Sequence, residues 1–283
     1  MPATEYERIR YEVAAPGVGR ITLARAEKAN AQDRKMLYEI DHAFMGAMQD
    51  DEVKVVILAA DGMNFSSGHD LKDRAPVADF GPVTGAGGFD EPGPHGHFAT
   101  EQEIYLGLCW RWRNLPKPTI AQVQGKVIAG GLMLVWPCDL VIASEEATFS
   151  DPVVAFGVNG HEYFVHAWEL GHRKAKEMLF RGHGLTAEEC HRLGMVNHVV
   201  SLDDLPRFTL QIAEEIAARP AMGLKLAKLA VNQSLDAQGQ WTAVQSAFSL
   251  HHLGHAHARV VHGMPIDPSG MDVIRQLSRS DKG

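Results

Sequence analysis

Little in this chain of 283 residues would cross-link it, anchor it or draw it to a polyanion. The three cysteines, Cys109, Cys138 and Cys190, are odd in number, widely spaced and set in apolar segments. That pattern argues against a disulfide framework and for a reducing compartment, so a cytoplasmic location is expected. No apolar run reaches the roughly 18 residues that a membrane helix requires. The opening MPATEYERIRYEV lacks the charged-then-apolar order of a signal peptide, so no membrane partner is expected. A formal charge of −8, with His neutral, leaves no overall footprint for nucleic acid. An anionic ligand would need a local group of cations. Three motifs are also missing: a Walker phosphate loop, a GxSxG nucleophile elbow and a dinucleotide fingerprint, since GAGGFD has neither the glycine spacing nor a preceding strand.

What is present reads as an α/β chain. IRYEVA and GRITLA are short β-like runs, and DRKMLYEIDHAFMGAMQD then sets Met36, Leu37, Ile40, Phe44 and Met48 at helical spacing. The apolar VKVVILAA and DLVIAS suit strands covered on both faces. Between them, residues 75 to 98 are rich in Gly, Pro and Ala and read as a long mobile loop. EQEIYLGLCWRWRNL resumes a helix that Pro116 stops. After Ser150 helices dominate, one of them opened by a capping box from Thr186 to Glu189.

Two glycine-containing turns sit where a strand gives way to a helix: FSSGHD, residues 65–70, and VIAGGLML, residues 127–134. Unpaired N–H groups at such helix starts suit anions, and two such turns can aim two donors at one oxygen. The same pattern also serves as a plain tight connection.

The stretches ARAEKANA (24–31), FSSGHDLKD (65–73) and KPTIAQVQGKVIAGGLMLVWPCDLVIASEEATFSDP (117–152) resemble, in order and spacing, three signatures of the crotonase superfamily, the enoyl-CoA hydratase and isomerase family. GHRKAKEMLFRGHGLTAEECHRLGMVNHVV resembles the region that follows, so the likeness spans about residues 8 to 235. It implies a crotonase (ClpP-like) spiral of ββα units over residues 1–200. A helical region over 201–283 would serve trimerisation and cover the pocket. It also implies an acyl-CoA thioester as ligand, with coenzyme A part of the substrate and no separate cofactor, and a homotrimer or hexamer. In the family, two backbone N–H groups hold the thioester oxygen as it becomes enolate-like; carried over by motif, they belong to Ser67 and Gly130. Arg25, Lys28 and Lys72 match places where the family approaches the CoA phosphates and adenine, although each also reads as solvated surface charge.

The chain departs from the family where water-adding members place two glutamates. Met133 and Val153 stand there, and neither can move a proton. Hydration of the usual kind needs paired carboxylates poised as acid and base, so isomerisation, ring-opening hydrolysis or an atypical hydration is expected instead. The alternative is a non-catalytic acyl-CoA-binding protein. GVNGHEYFVH (157–166) supplies the replacement candidates. Glu162 would abstract a proton alpha to the thioester or merely cap a helix, His161 would activate water, and Tyr163 or His166 would donate a proton. Asp151 would assist, or serve as an ordinary Asp-Pro turn. With Met133 and Val153, His69 would line the acyl pocket; as sequence neighbours, His69 and Asp70 are not expected to face each other. His251 and His255 have the i, i+4 spacing of a metal pair, but no carboxylate lies near them in sequence, and no metal is expected.

Overall fold

The computed structural model describes residues 5–280, so the extreme ends of the two expected segments, 1–4 and 281–283, lie outside the described residues. Along the chain come β1 (Ile9–Ala15), β2 (Val18–Leu23), α1 (Arg34–Gln49), β3 (Val55–Ala60), α2 (Pro94–Glu101) and α3 (Leu108–Arg113). Next are β4 (Thr119–Val123), β5 (Lys126–Ile128), α4 (Leu132–Val135), β6 (Leu140–Ser144) and β7 (Thr148–Ser150). There follow α5 (His166–Arg181), β8 (Leu185–Thr186), α6 (Ala187–Leu193) and β9 (His198–Val200). Four helices finish the chain: α7 (Leu205–Ala217), α8 (Ala221–Ala237), α9 (Gln240–His262) and α10 (Gly270–Ser280).

The strands form a six-stranded sheet in the order β1-β2-β3-β4-β6-β9 and a three-stranded sheet in the order β5-β7-β8. Only β1 against β2 is antiparallel in the larger sheet. The ββα theme explains the division: β4 and β6 each enter the large sheet, while the strand after each, β5 and β7, pairs in the small one. Successive units therefore stack side by side.

Period-two alternation decides what each face of the sheet packs against. Val56 and Leu58 of β3 join the core that contains Met36, Leu37, Ile40 and Phe44 of α1. Val55, Ile57 and Ala59 face the other way, onto Leu205, Ala213 and Ala217 of α7. Both faces are covered, as the apolar runs predict. The first helix after residue 200 is thus part of the core packing.

Helix signals in the sequence hold. Asp33 caps α1 by accepting from the Met36 N–H at 2.9 Å, and Thr186 and Glu189 form the expected reciprocal capping box. The loop differs from its expectation. Its last residues already form α2, which runs through a π-helical turn at Gln102–Gly107 into α3. Buried Glu103 in that turn accepts from the N–H of Val83 at 2.7 Å and of Thr84 at 3.0 Å, and from the Thr84 hydroxyl, so the loop is fastened by a carboxylate.

Candidate active site

The two glycine turns meet. A parallel bridge joins Ser66 to Val127, with the Ser66 N–H donating to Lys126 and the Ile128 N–H donating to the Ser66 carbonyl. Gln32 ties the turns from behind: its Nε2 donates to Ser66 Oγ at 3.1 Å and to the Gly130 carbonyl at 2.8 Å. A side chain on Gly68, at φ +89°, would put its Cβ 2.8 Å from the Ile128 carbonyl oxygen. Only glycine satisfies both that conformation and that closeness. A Cβ on Gly130 would lie 2.5 Å from the His69 ring, so the bare Gly130 is what lets that imidazole lie against the backbone.

This geometry corrects one expected donor. The Ser67 N–H donates to the Ala29 carbonyl at 2.9 Å and is not available to a ligand. The His69 N–H, two residues on, donates to no group among the described residues, because the bridge to Gln32 uses the Gly68 carbonyl and the Asp70 N–H instead. The parallel pairing of Gln32 with His69 thus consumes neighbouring polar groups and leaves this one over.

The His69 side chain is more than pocket lining. It stacks on Tyr105 of the π-turn, with ring centroids 3.8 Å apart, and its Nε2 donates to Glu162 Oε2 at 3.2 Å. Glu162 is buried, and its other oxygen lies 3.6 Å from His251 Nε2. Burial alone would raise this carboxyl, but His69, by charge and hydrogen bond, more than offsets it and holds the group below its ordinary range. One carboxylate therefore sits at the junction of the two turns. Met133, buried in α4 one turn after Gly130, supplies no second one, and Val153 begins a short 3-10 turn.

Asp151 and His161 belong to a separate arrangement. Asp151 is fully buried and accepts from the N–H groups of His161 (2.8 Å) and Val153 (3.3 Å) and from His166 Nε2 (2.8 Å). Desolvation would raise its carboxyl, yet His166 and His161 hold it far below the usual range. Its oxygens are committed to fixing residues 151–166. The His161 ring packs against Trp136 and His166 with neither nitrogen hydrogen-bonded, and burial pushes it down to about 3. Tyr163 is likewise buried.

Of the three expected CoA cations, Arg25 is engaged elsewhere. Its guanidinium donates to Asp70 at 2.8 Å and the Ala31 carbonyl at 2.7 Å, and lies 3.4 Å from Asp33. The charge pair was not legible in sequence because Asp70 lies 45 residues from Arg25 along the chain. Lys28 and Lys72 stay exposed. Asp70 faces Arg25 and not His69, as adjacency predicts. Gln32 and Tyr105 were not legible as site residues, and neither carries a local motif.

The description "Enoyl-CoA hydratase/isomerase" fits a family model that matches residues 14–83 and 87–265, well past the end of the likeness visible at residue 235. The Mycobacterium tuberculosis protein EchA13, named for enoyl-CoA hydratase, is 45% identical over 261 residues, covering 89% of this chain and 82% of its own. A solved Mycobacterium smegmatis structure assigned as an enoyl-CoA hydratase is 48% identical. It superposes with a TM-score of 0.84 over 92% of this chain and 98% of its own. An enoyl-CoA hydratase/isomerase from Xanthobacter autotrophicus Py2 is 32% identical, with a TM-score of 0.80 over 98% and 97%. The chain therefore belongs to the enoyl-CoA hydratase/isomerase family, with the crotonase fold, and is an enzyme of that family.

Proposed function

We propose that this protein moves a proton at the carbon skeleton of an enoyl-CoA thioester and so shifts its double bond. The thioester oxygen would be held between the N–H groups of His69 and Gly130, where negative charge develops only as the enolate forms. Glu162 is the base that removes the proton alpha to the carbonyl and returns it to the gamma carbon, so nothing is gained or lost overall. The observation that carries the reading is the buried Glu162 carboxylate, which His69 of the first glycine turn holds at 3.2 Å. One such group suffices for a 1,3-shift, whereas ordinary hydration needs two. Lys28 and Lys72 remain as candidate cations for the CoA phosphates.

Incubation with enoyl-CoA esters in D2O should give products of unchanged skeleton with solvent deuterium at the alpha or gamma carbon. Glu162→Gln should lower kcat by about 10²–10⁴-fold while CoA-ester affinity is kept. A gain of one water mass would replace this reading with hydration or ring-opening hydrolysis. The apolar Met133 and Val153 favour a second reading, a non-catalytic acyl-CoA binder; tight binding with no turnover across the panel would select it.

A further inference from the structure

The histidines of α9 lack a carboxylate in sequence, and the fold supplies one. His251, His252 and His255 line one side of α9, and α2 brings Glu101 against them, with His97 one turn earlier. Glu101 Oε1 pairs with His97 Nε2 at 2.9 Å. Its Oε2 lies 3.2 Å from His252 Nε2, 3.6 Å from His255 Nε2 and 3.7 Å from His251 Nε2. All four of these converging atoms are buried and without a hydrogen-bond partner among the described residues.

The outer nitrogens fix what the inner ones present. His251 Nδ1 donates to the Gly160 carbonyl at 2.8 Å, and His255 Nδ1 donates to the Pro265 carbonyl at 2.5 Å. A carbonyl only accepts, so the proton of each neutral ring is on Nδ1 and the Nε2 lone pair points inward. Lone pairs aimed at a carboxylate oxygen repel it, and protonating all three rings would crowd three cations around one anion. A cation among Glu101, His251 and His255 satisfies those three buried atoms at once. Carbonyl-anchored Nδ1–H groups are also the outer support that metal-bound histidines have. The ligand atoms of Glu101, His251 and His255 lie within 4.8 Å of one another, close enough for one ion whose ligands stand at about 2.0–2.1 Å. A set of two imidazoles and one carboxylate suits zinc and its first-row neighbours better than magnesium or calcium, which prefer oxygen. The other buried group of this kind, Asp151 with His161 and His166, differs because its carboxylate already accepts three N–H donors.

We propose that Glu101, His251 and His255, with a water completing the shell, bind one zinc-class divalent ion that fastens α9 to α2 beside Glu162. The site does not depend on which reaction the enzyme performs, and its test does not read turnover. The full chain, stripped with a chelator, is titrated with Zn²⁺ and then with Mg²⁺ by calorimetry, with elemental analysis and thermal unfolding alongside. One zinc per chain, no magnesium uptake and a raised Tm are expected. Glu101→Gln and His255→Gln should weaken zinc binding about 100-fold or more, and His257→Gln, at an exposed position on the same helix, should leave it unchanged. With Co²⁺ as probe, the wild-type chain alone should show the visible absorption of a four-coordinate nitrogen and oxygen site, which stands even if a variant does not fold. Failure of the wild type to take up a stoichiometric ion, or unchanged affinity in folded forms of both variants, would overturn the proposal.

Discussion

Gly130 shows how much one missing methyl group can matter. Its backbone is free of positive φ, so alanine is conformationally allowed there, but the added Cβ would meet the His69 ring at 2.5 Å. The ring is the part able to move. Gly130→Ala should therefore change unfolding stability little while lowering kcat by about 100-fold, since a displacement near 1 Å at a catalytic centre has that effect; kinetics beside denaturant titration checks this. His161 makes a different prediction. Burial first, then His166, push its ring down to about 3, against Asp151 and Glu162, which raise it, while unfolded histidine titrates near 6.5. Between those values the unfolded chain binds a proton that the folded chain refuses, so stability present above pH ~6.5 is lost as pH falls, by up to ~1.4 kcal/mol per unit for this one group. His161→Phe should remove that share, so its stability loss between pH 7.5 and 5 should be smaller than the wild type's. Asp151, with its depressed carboxyl, acts in a lower window, below about 3.8.

At the scale of elements, the π-turn at Gln102–Gly107 does several jobs that a regular helix would not place together. It sets Tyr105 on His69 and Glu103 under the loop, directly after Glu101. π-turns of this kind recur at functional sites, and they are invisible to periodicity because one extra residue only rephases the helix. Glu103→Ala would leave the Val83 and Thr84 N–H groups and the Tyr38 hydroxyl without their acceptor. At ~1–3 kcal/mol for such a loss, amide hydrogen exchange at residues 83–84 should quicken by about 10- to 100-fold.

The whole molecule leaves apolar side chains uncovered on its last helices. Met222 and Leu226 of α8 and Leu253 and Val260 of α9 are each more than half exposed, Val260 at 86%. The buried histidines occupy the opposite side of α9. Exposed apolar patches of this kind mark interaction surfaces, and the family resemblance implies trimers or paired trimers, so the chain is expected to sediment as one of these. Leu253→Glu combined with Val260→Glu should shift it toward monomer in analytical ultracentrifugation; an unchanged mass would remove this face from the assembly. Among the described residues, no helix is long and apolar enough to cross a membrane, in keeping with the short apolar runs of the sequence.

Local signals were legible because their causes are local: alternation in VKVVILAA, the Asp33 and Thr186 caps and the glycine turns are all read from neighbours in the chain. Reading along the chain therefore sufficed for the strands, most helices and the family. Only the tertiary structure decided which groups are free. Ser67 and Arg25 look available in sequence, yet Ala29 takes the Ser67 N–H, and Asp70, Asp33 and Ala31 take the Arg25 guanidinium. Conversely, Glu101 acquires its histidines and Glu162 acquires His69 only when separate helices and turns pack together. Hydrogen bonds and charge pairs depend on distances of a few ångströms in space, and chain separation carries almost no information about those.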